Sequence, residues 1–398
     1  SRGEMNAKSS TTHPMGCSVP YAAVLRRLGV NLLYLVPRQV GGTEIYARRL
    51  VAALAQELSE TELLVFCGAE AAAVLPDPEW PGNVRVVRAP VRAASKPLRL
   101  ATELAWLPAA ADHHGVELLH SLGTTTPLHG RAVRVVTVHD LIYQHFPGAF
   151  PPAARLGLKL VVPAGARRAR RVQVSSSATK ADVVEHFGLA PEKIDVVPLG
   201  LGMRDVLDPT PAQELRARLE LAGRPVLLTV NAALPHKNLD RLLRAVALLP
   251  EPVLALVGHA GRDSDRLRAL ADELGIAERV RITGWLSDED LEGLYRLAAG
   301  FVYPSLHEGF GMPVLEAMRR GTPVACADAT SLPEVVGDAA LLFDPHSVEA
   351  IATAARTLLG DAERAAELVE RGRARAAEFG WERTARAAVE SYCRALAA

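Results

Sequence analysis

Two α/β domains facing one another, each a doubly wound parallel sheet, form the fold class that the sequence predicts. Short β-rich runs alternate with longer helical patterns along the whole chain, as βαβ units require. At 398 residues the chain is too long for one ordinary core, so two domains are expected. Glycine and proline cluster at Val197-Pro198-Leu199-Gly200-Leu201-Gly202, between two series of strand candidates, and mark the seam.

Taken in order, residues 1–20 are polar, lack a signal-peptide core and read as a poorly ordered arm, with Met5 a candidate start. The first domain is expected over 21–200, with strands at Leu32–Val36, Leu63–Cys67, Val84–Val87, Leu118–His120, Val133–Val138 and Val172–Val174. A helix over Glu44–Leu58 places Ile45, Leu50, Leu54 and Leu58 roughly on one face. The second domain is expected over 201–380, with strands at Val226–Val230, Val253–Val257, Val280–Ile282, Phe301–Tyr303, Val324–Ala327 and Leu341–Phe343. Ser287 is placed to cap a helix that repeats Leu291, Leu294, Tyr295 and Ala298 at helical spacing. Residues 381–398 form a last helix.

The bulk numbers exclude several classes. Hydrophobic content of 49% with 23% charge describes a folded protein, and no apolar run approaches the length needed to span a bilayer. Net charge is zero, and no nucleic-acid partner is expected. The four cysteines lie far apart with no CxxC, which argues against a metal cluster or disulfide framework and for a reducing cytoplasm. Cys67 and Cys326 sit in apolar runs and read as core.

The most informative run is HEGFGMPVLEAM, bracketed by Glu308 and Glu316. A strand at Phe301–Tyr303 leads into a glycine-rich turn, Glu308-Gly309-Phe310-Gly311, and Pro313 then opens a helix. Proline suits a first helical position because its fixed φ and missing N–H cost nothing there. Such a turn aims backbone N–H groups and the positive end of a helix dipole at an anion, most often phosphate. Two carboxylates beside a phosphate site make sense if the ligand also carries hydroxyls, as a nucleotide sugar does.

This run resembles the E-x7-E signature of the retaining glycosyltransferases of family 4, which have the GT-B fold. The resemblance extends from about Asn31 to Pro345. It implies that the final helix, Trp381 to Leu396, crosses back to the first domain. It also implies that Glu308 lies beside the donor sugar and that Glu316 binds the ribose hydroxyls. The backbone N–H groups of Phe310 and Gly311, beside Gly309, would hold sugar hydroxyls, and those of Val314 and Leu315 would face the phosphates. Pro235-His236-Lys237-Asn238 resembles the family turn whose lysine binds the diphosphate, so Lys237 would neutralise the leaving group. Many members carry an arginine five or six residues earlier. Here those positions are Ala232 and Asn231, with His236 a candidate substitute. Val136-Thr137-Val138-His139-Asp140-Leu141 resembles the first-domain "VHD" segment. It makes His139 a catalytic candidate able to hydrogen-bond both sugar and leaving phosphate, with Asp140 capping or orienting.

Gly41-Gly42-Thr43 resembles the family's first loop, where a bare backbone approaches donor and acceptor. It is no GxGxxG fingerprint, so a nicotinamide or flavin cofactor is not expected. Trp285 and Leu286, just after Gly284, inherit contacts to the base. Ser175-Ser176-Ser177 reads as a helix cap, with acceptor contact as the alternative, and Glu334 as a structural helix-start carboxylate. Asp263-Ser264-Asp265 reads as a helix cap and not as a metal motif; no essential metal or other cofactor is expected.

The resemblance implies retention of anomeric configuration, with the leaving phosphate taking the acceptor's proton and catalysis resting on positioning and charge stabilisation. The "VHDL…FP" and "TSLPEVVGDAAL" segments look most like the bacterial mannosyltransferases of polysaccharide assembly, so GDP-mannose is the first donor expected and a UDP-hexose the next. The acceptor remains open among glycan, glycolipid, lipid-linked oligosaccharide and small metabolite. A non-hydrolysing sugar-nucleotide epimerase and a catalytically silent sugar-nucleotide binder are the rival classes. Two acid-free basic stretches, Arg155, Lys159, Arg167, Arg168, Arg170, Arg171 and Lys180, and Arg85, Arg88, Arg92, Lys96 and Arg99, suggest an anionic acceptor or peripheral contact with an anionic membrane.

Overall fold

A computed structural model describes residues 25–37, 41–202, 206–258 and 263–397. The arm over 1–20 lies outside the described residues. Seven strands form the first sheet: β1 (Arg27–Leu32), β2 (Glu62–Cys67), β3 (Val84–Arg88), β4 (Leu118–Ser121), β5 (Val133–Val138), β6 (Arg171–Val174) and β7 (Ile194–Val196). Six form the second: β8 (Val226–Val230), β9 (Val253–Val257), β10 (Val280–Gly284), β11 (Gly300–Tyr303), β12 (Val324–Ala327) and β13 (Leu341–Phe343). The orders are β3-β2-β1-β4-β5-β6-β7 and β10-β9-β8-β11-β12-β13. Every recorded pairing is parallel.

Helices cover both faces of each sheet, so the central strands are apolar throughout: every residue of β9, β11 and β12 is buried. Strand order reverses between β1 and β4 in one sheet and between β8 and β11 in the other. A crevice opens at each reversal, beyond the carboxyl ends of the strands. The loops after β1, β5, β8 and β11 carry the predicted site, so the topology gathers those motifs.

Two strand expectations are corrected. The first strand is Arg27–Leu32, not Leu32–Val36. In RLGVNLLYLV, hydrophobicity alone does not say where pairing stops. Asn31 does: its Oδ1 accepts from the Leu33 N–H at 3.1 Å and turns the chain out of the sheet. The edge strand β7 was missed because Asp195 sits at its centre. That carboxylate is held by Arg171, by Ser391 Oγ at 2.6 Å and by Arg394 at 3.1 Å.

The last helix, Trp381–Ala397, packs on the Gly42–Glu57 helix and on β5 and β6 of the first domain. Its polar side chains fix the crossing. Trp381 Nε1 donates to Leu201 O at 2.6 Å, Thr384 Oγ1 to Pro198 O at 2.8 Å, and Tyr392 OH meets His120 Nδ1 at 2.7 Å. Ser287 and Ser176 cap their helices through Asp290 N and Thr179 N, whereas Asp263 stands before its helix without a side-chain capping bond. Cys67 and Cys326 are buried in the core. No described helix is long and apolar enough to cross a membrane.

Candidate active site

The two crevices face each other across one cleft of about 590 Å³. From the first domain come Gly41, Gly42, Tyr46, His139 and Asp140; from the second come Asn231, Ala232, Lys237, Trp285, Leu286 and the turn from Glu308 to Pro313, with Glu316 behind it.

Lys237 and Glu308 form an ion pair at 2.5 Å, each side chain about nine-tenths covered. Lys237 stands at the end of a 3-10 turn after β8, and Asn238 beside it takes a left-handed φ of 58°. Asn238 Nδ2 ties this turn to Pro304 O at 3.0 Å and Pro345 O at 2.8 Å, so the lysine's origin is rigid. Burial pushes the Glu308 carboxyl upward, but Lys237, with help from Ser305, more than offsets it and holds it below its ordinary value. Glu308 is therefore ionised at neutral pH.

The turn from Glu308 to Gly311 is braced from behind. Glu308 N donates to Thr330 Oγ1 at 3.0 Å, and Ser331 Oγ lies 3.0 Å from both Glu308 O and Phe310 O. Gly311, at the N-cap of the Met312–Arg319 helix, has φ 104°, which a side chain would strain. Glu316 is buried and accepts from Tyr295 OH at 3.2 Å. Val314 and Leu315 do not border the cleft. Their side chains are wholly buried, and the Val314 N–H is spent on Gly311 O at 3.0 Å. That 3-10-type bond occupies one first-turn donor, Val314; the Leu315 amide lies one position deeper in the helix.

His139 follows β5 and packs edge-on against Tyr46, with ring centroids 4.7 Å apart. Its Nε2 lies 2.7 Å from Leu122 O, so Nε2 carries the proton and donates there. Burial pushes the ring toward its neutral form and lifts the neighbouring Asp140 carboxyl. Only Nδ1 then remains as a ring partner, and one imidazole cannot serve sugar and phosphate through separate nitrogens. Asp140 Oδ1 accepts from the Ile142 N–H at 3.1 Å, an Asx turn one residue ahead of the Leu141 N-cap.

His236 does not replace the absent arginine. It is buried, and burial and the charge of Lys237 push its ring down to about 4, so it is neutral at pH 7. At Asn231, Nδ2 donates to Thr229 Oγ1 at 3.1 Å.

Contacts across the cleft are what sequence reasoning missed. A Cβ on Gly309 would lie 1.9 Å from His139 O, so only glycine lets the two backbones meet. Ser175 Oγ donates to Gly309 O at 2.7 Å. Glu334 accepts from Ser177 N at 2.8 Å and from Ser177 Oγ at 3.0 Å. The serine run thus divides its work: Ser176 caps its helix, while Ser175 and Ser177 grip the opposite domain. A polar run at a strand end and a carboxylate in a helix start were visible in the sequence, but nothing paired them.

Comparison with known proteins gives the same assignment for both halves. The family model "Glycosyltransferase Family 4" matches residues 40–202, and "Glycosyl transferases group 1" matches residues 212–375. O-antigen chain mannosyltransferase B of Escherichia coli is 33% identical over 265 residues, 65% of this chain and 69% of that protein. The chain belongs to glycosyltransferase family 4. A second family relative, D-inositol 3-phosphate glycosyltransferase of Nocardia farcinica, is 32% identical over 393 residues, 89% of this chain and 85% of that one. In structure the family fold recurs in Anabaena HepE, solved with UDP and glucose, at TM-score 0.73 and 22% identity over 92% of this chain and 99% of that one. The protein is a glycosyltransferase of GT-B architecture, on the bacterial mannosyltransferase side of family 4.

Proposed function

We propose that this glycosyltransferase moves a hexose, mannose from GDP-mannose in the first instance, to a hydroxyl of a glycan, glycolipid or lipid-linked acceptor, with retention at the anomeric carbon. The observation that carries the reading is the placement of Lys237, Glu308 and Glu316 at the carboxyl ends of β8 and β11, opposite His139. In this reading Glu316 accepts from the ribose hydroxyls, since a carboxylate takes two such bonds strongly. Lys237 exchanges Glu308 for the diphosphate and stabilises the charge that develops as the glycosidic bond breaks. His139 accepts from a sugar hydroxyl at Nδ1. The leaving phosphate takes the acceptor's proton. No protein group acts as nucleophile and no metal is required, so turnover should survive a chelator. The mannose assignment follows the E. coli relative; a UDP-hexose is the second reading, favoured by the likeness to the HepE fold.

Thermal shift with GDP, UDP and ADP, on the native chain and on Glu316→Ala, tests the donor role. A ligand that binds only the native state stabilises by RT ln(1 + [L]/Kd), so one nucleotide should stand out. A GDP shift lost in Glu316→Ala supports the reading; a UDP shift lost in the same way replaces the donor. No shift with any nucleotide overturns it. Product NMR with GDP-mannose then reads the anomeric configuration.

For the acceptor side we infer peripheral contact with an anionic membrane. Leu156 and Leu160, 61% and 65% exposed one turn apart on the Pro152–Arg168 helix, flank Lys159 and support the inference. Several other arginines of the basic stretches are spent internally, Arg155 on Tyr143 O and Arg167 on Phe187 O. Binding to acidic but not neutral liposomes, weakened by salt, is expected; equal binding to both sinks it.

A further inference from the structure

Away from the donor cleft, a second constellation straddles the two domains. His145 ends the short Ile142–His145 helix; Asp182 and His186 sit one turn apart on the Ser177–Phe187 helix. One ligand atom from each of these three residues lies within 4.8 Å of the others. His307 reaches in from the opposite domain, immediately before Glu308. Asp182 Oδ2 is the centre of the group, 3.1 Å from His145 Nε2 and 3.5 Å from His307 Nε2. The imidazole rings crowd around it, with centroids 5.2 Å apart for His145 and His186 and 4.5 Å for His145 and His307.

We propose that His145, Asp182 and His186 form a site for a divalent transition metal, zinc by preference, and that the metal recruits His307 from the other domain as its fourth ligand, linking the two domains. Three imidazole nitrogens and one carboxylate oxygen are a donor set that zinc takes in tetrahedral geometry. Bonds of about 2.0–2.1 Å put neighbouring tetrahedral ligands about 3.4 Å apart. Two of the six edges, the 3.1 and 3.5 Å separations around Asp182, are near that length, and the others within the three-residue group are 4.8 Å or less and close on the metal. Two ligands at i and i+4 share one face of a helix, which fixes their spacing before any metal arrives. Contact with Asp182 accounts for two of the rings, His145 and His307; His186 brings a third imidazole to within 4.8 Å without a hydrogen bond to that carboxylate.

The mouth is open enough to fill, since His145 and His186 are exposed, while His307 is buried on the far side. The first three ligands belong to one domain and the fourth to the other. The metal therefore binds tightest when the domains are apposed and, by linkage, holds them so. Because His307 adjoins Glu308, the tether acts on the turn that carries the Lys237 pair. This role is distinct from catalysis, and a chelator would loosen the domains without removing a catalytic group.

The test is zinc titration of the full chain, freed of any affinity tag, by calorimetry, with cobalt(II) absorption as a geometric readout. One metal per chain and the intense visible bands of tetrahedral cobalt are expected. His186→Ala, at an exposed position that the fold tolerates, should weaken zinc by more than roughly tenfold, the least expected from disturbing even an outer-sphere partner. His307→Ala should weaken it as well, leaving a three-ligand site within one domain. Zinc should raise the Tm of the native chain and leave that of His186→Ala unmoved. The proposal is overturned if the native chain takes up no zinc, or if His186→Ala binds as the native chain does, which would move the metal to another place. Unchanged affinity in His307→Ala would overturn the link between domains.

Discussion

Replacing Lys237 by methionine removes the cation that faces the Glu308 carboxylate at 2.5 Å, and leaves a buried charge with no counter-charge at contact distance among the described residues. Breaking one side of a buried pair costs about 3–5 kcal/mol, whereas replacing both sides is close to neutral. Both side chains are about nine-tenths covered and the contact is 2.5 Å, so solvent screening reduces this only modestly. For a domain of this size the loss lowers Tm by roughly 10 °C. The double variant Lys237→Met/Glu308→Gln should recover most of that, with a coupling well above the roughly 0.5 kcal/mol expected of independent sites. Activity should not follow. Loss of a group that stabilises developing charge lowers kcat by about 10²–10³, and the double variant should stay at that level.

The pH dependence of the same variant has a definite sign. In the native chain Glu308 is held below its ordinary value, so the pair's contribution is present above the usual carboxylate range and lost as pH falls through the lowered value. Without Lys237, burial, the largest influence, raises it against the smaller pull of Ser305. The deficit of Lys237→Met should then shrink as pH falls from 7 toward 5, because protonation removes the stranded charge. Scanning calorimetry of the native chain, Lys237→Met, Glu308→Gln and the double variant across that range, with turnover of the nucleotide sugar, reads every term. Additive stabilities, or a deficit that grows on acidification, would refute the reasoning.

Gly309→Ala sets a Cβ against His139 O at 1.9 Å, so the domains must part; kcat should fall by more than roughly tenfold while nucleotide still shifts the melting of the donor domain, since a misplacement of about 1 Å costs about 10². Glu334→Ala removes the acceptor of Ser177 N and Oγ and should lower stability by about 1–3 kcal/mol, through two bonds to a charged group, with KM moving more than the nucleotide Kd. His120, buried between Tyr392 OH and Thr137 Oγ1, is pushed down to about 3 by burial, so the native state refuses a proton that the unfolded chain takes below about 6.5. Stability is thus full above that value and falls with pH below it, by about 2 kcal/mol at pH 5; His120→Gln should flatten the Tm profile between pH 7 and 5.

Much of the donor half was legible because its signals are local. Pro313, Gly311 and the two glutamates lie on one turn of chain, and their spacing alone positions them. The strands of the second domain were read within a residue or two because β-branched and aromatic runs there end in glycine, proline or a polar turn. The first strand was shifted because its end is set by an Asn31 side-chain bond, not by a change of hydrophobicity. The edge strand β7 was hidden by Asp195, whose partners lie on β6 and on the final helix, close to 200 residues away. The same limit hid the grip of Ser175 and Ser177 on the opposite domain, and it left Val314 among the phosphate donors although its amide closes its own helical turn.

The missing arginine acquires a physical meaning from the Lys237–Glu308 contact. Among the described residues, the cation at the carboxyl end of β8 that a diphosphate entering this cleft meets is Lys237, and it already has a partner. His236 is neutral, and Arg48 and Arg49, the other basic residues on the cleft wall, face Asp77 and Glu79 at 3.0 and 2.9 Å. On the proposed reading, donor binding is an exchange in which phosphate displaces Glu308 from Lys237. The carboxylate so released stands next to the sugar, where hydroxyl donors replace the ammonium. A chain with a second cation would hold the diphosphate more tightly without that exchange. Introducing arginine at Ala232, which borders the cleft five residues before Lys237, should therefore tighten nucleotide binding. If Lys237 remains the group that meets the transition state, kcat should change far less than Kd. Kd by calorimetry beside kcat separates the two, and a gain in kcat matching the gain in affinity would show that ground-state phosphate charge, not the exchange, limits this site.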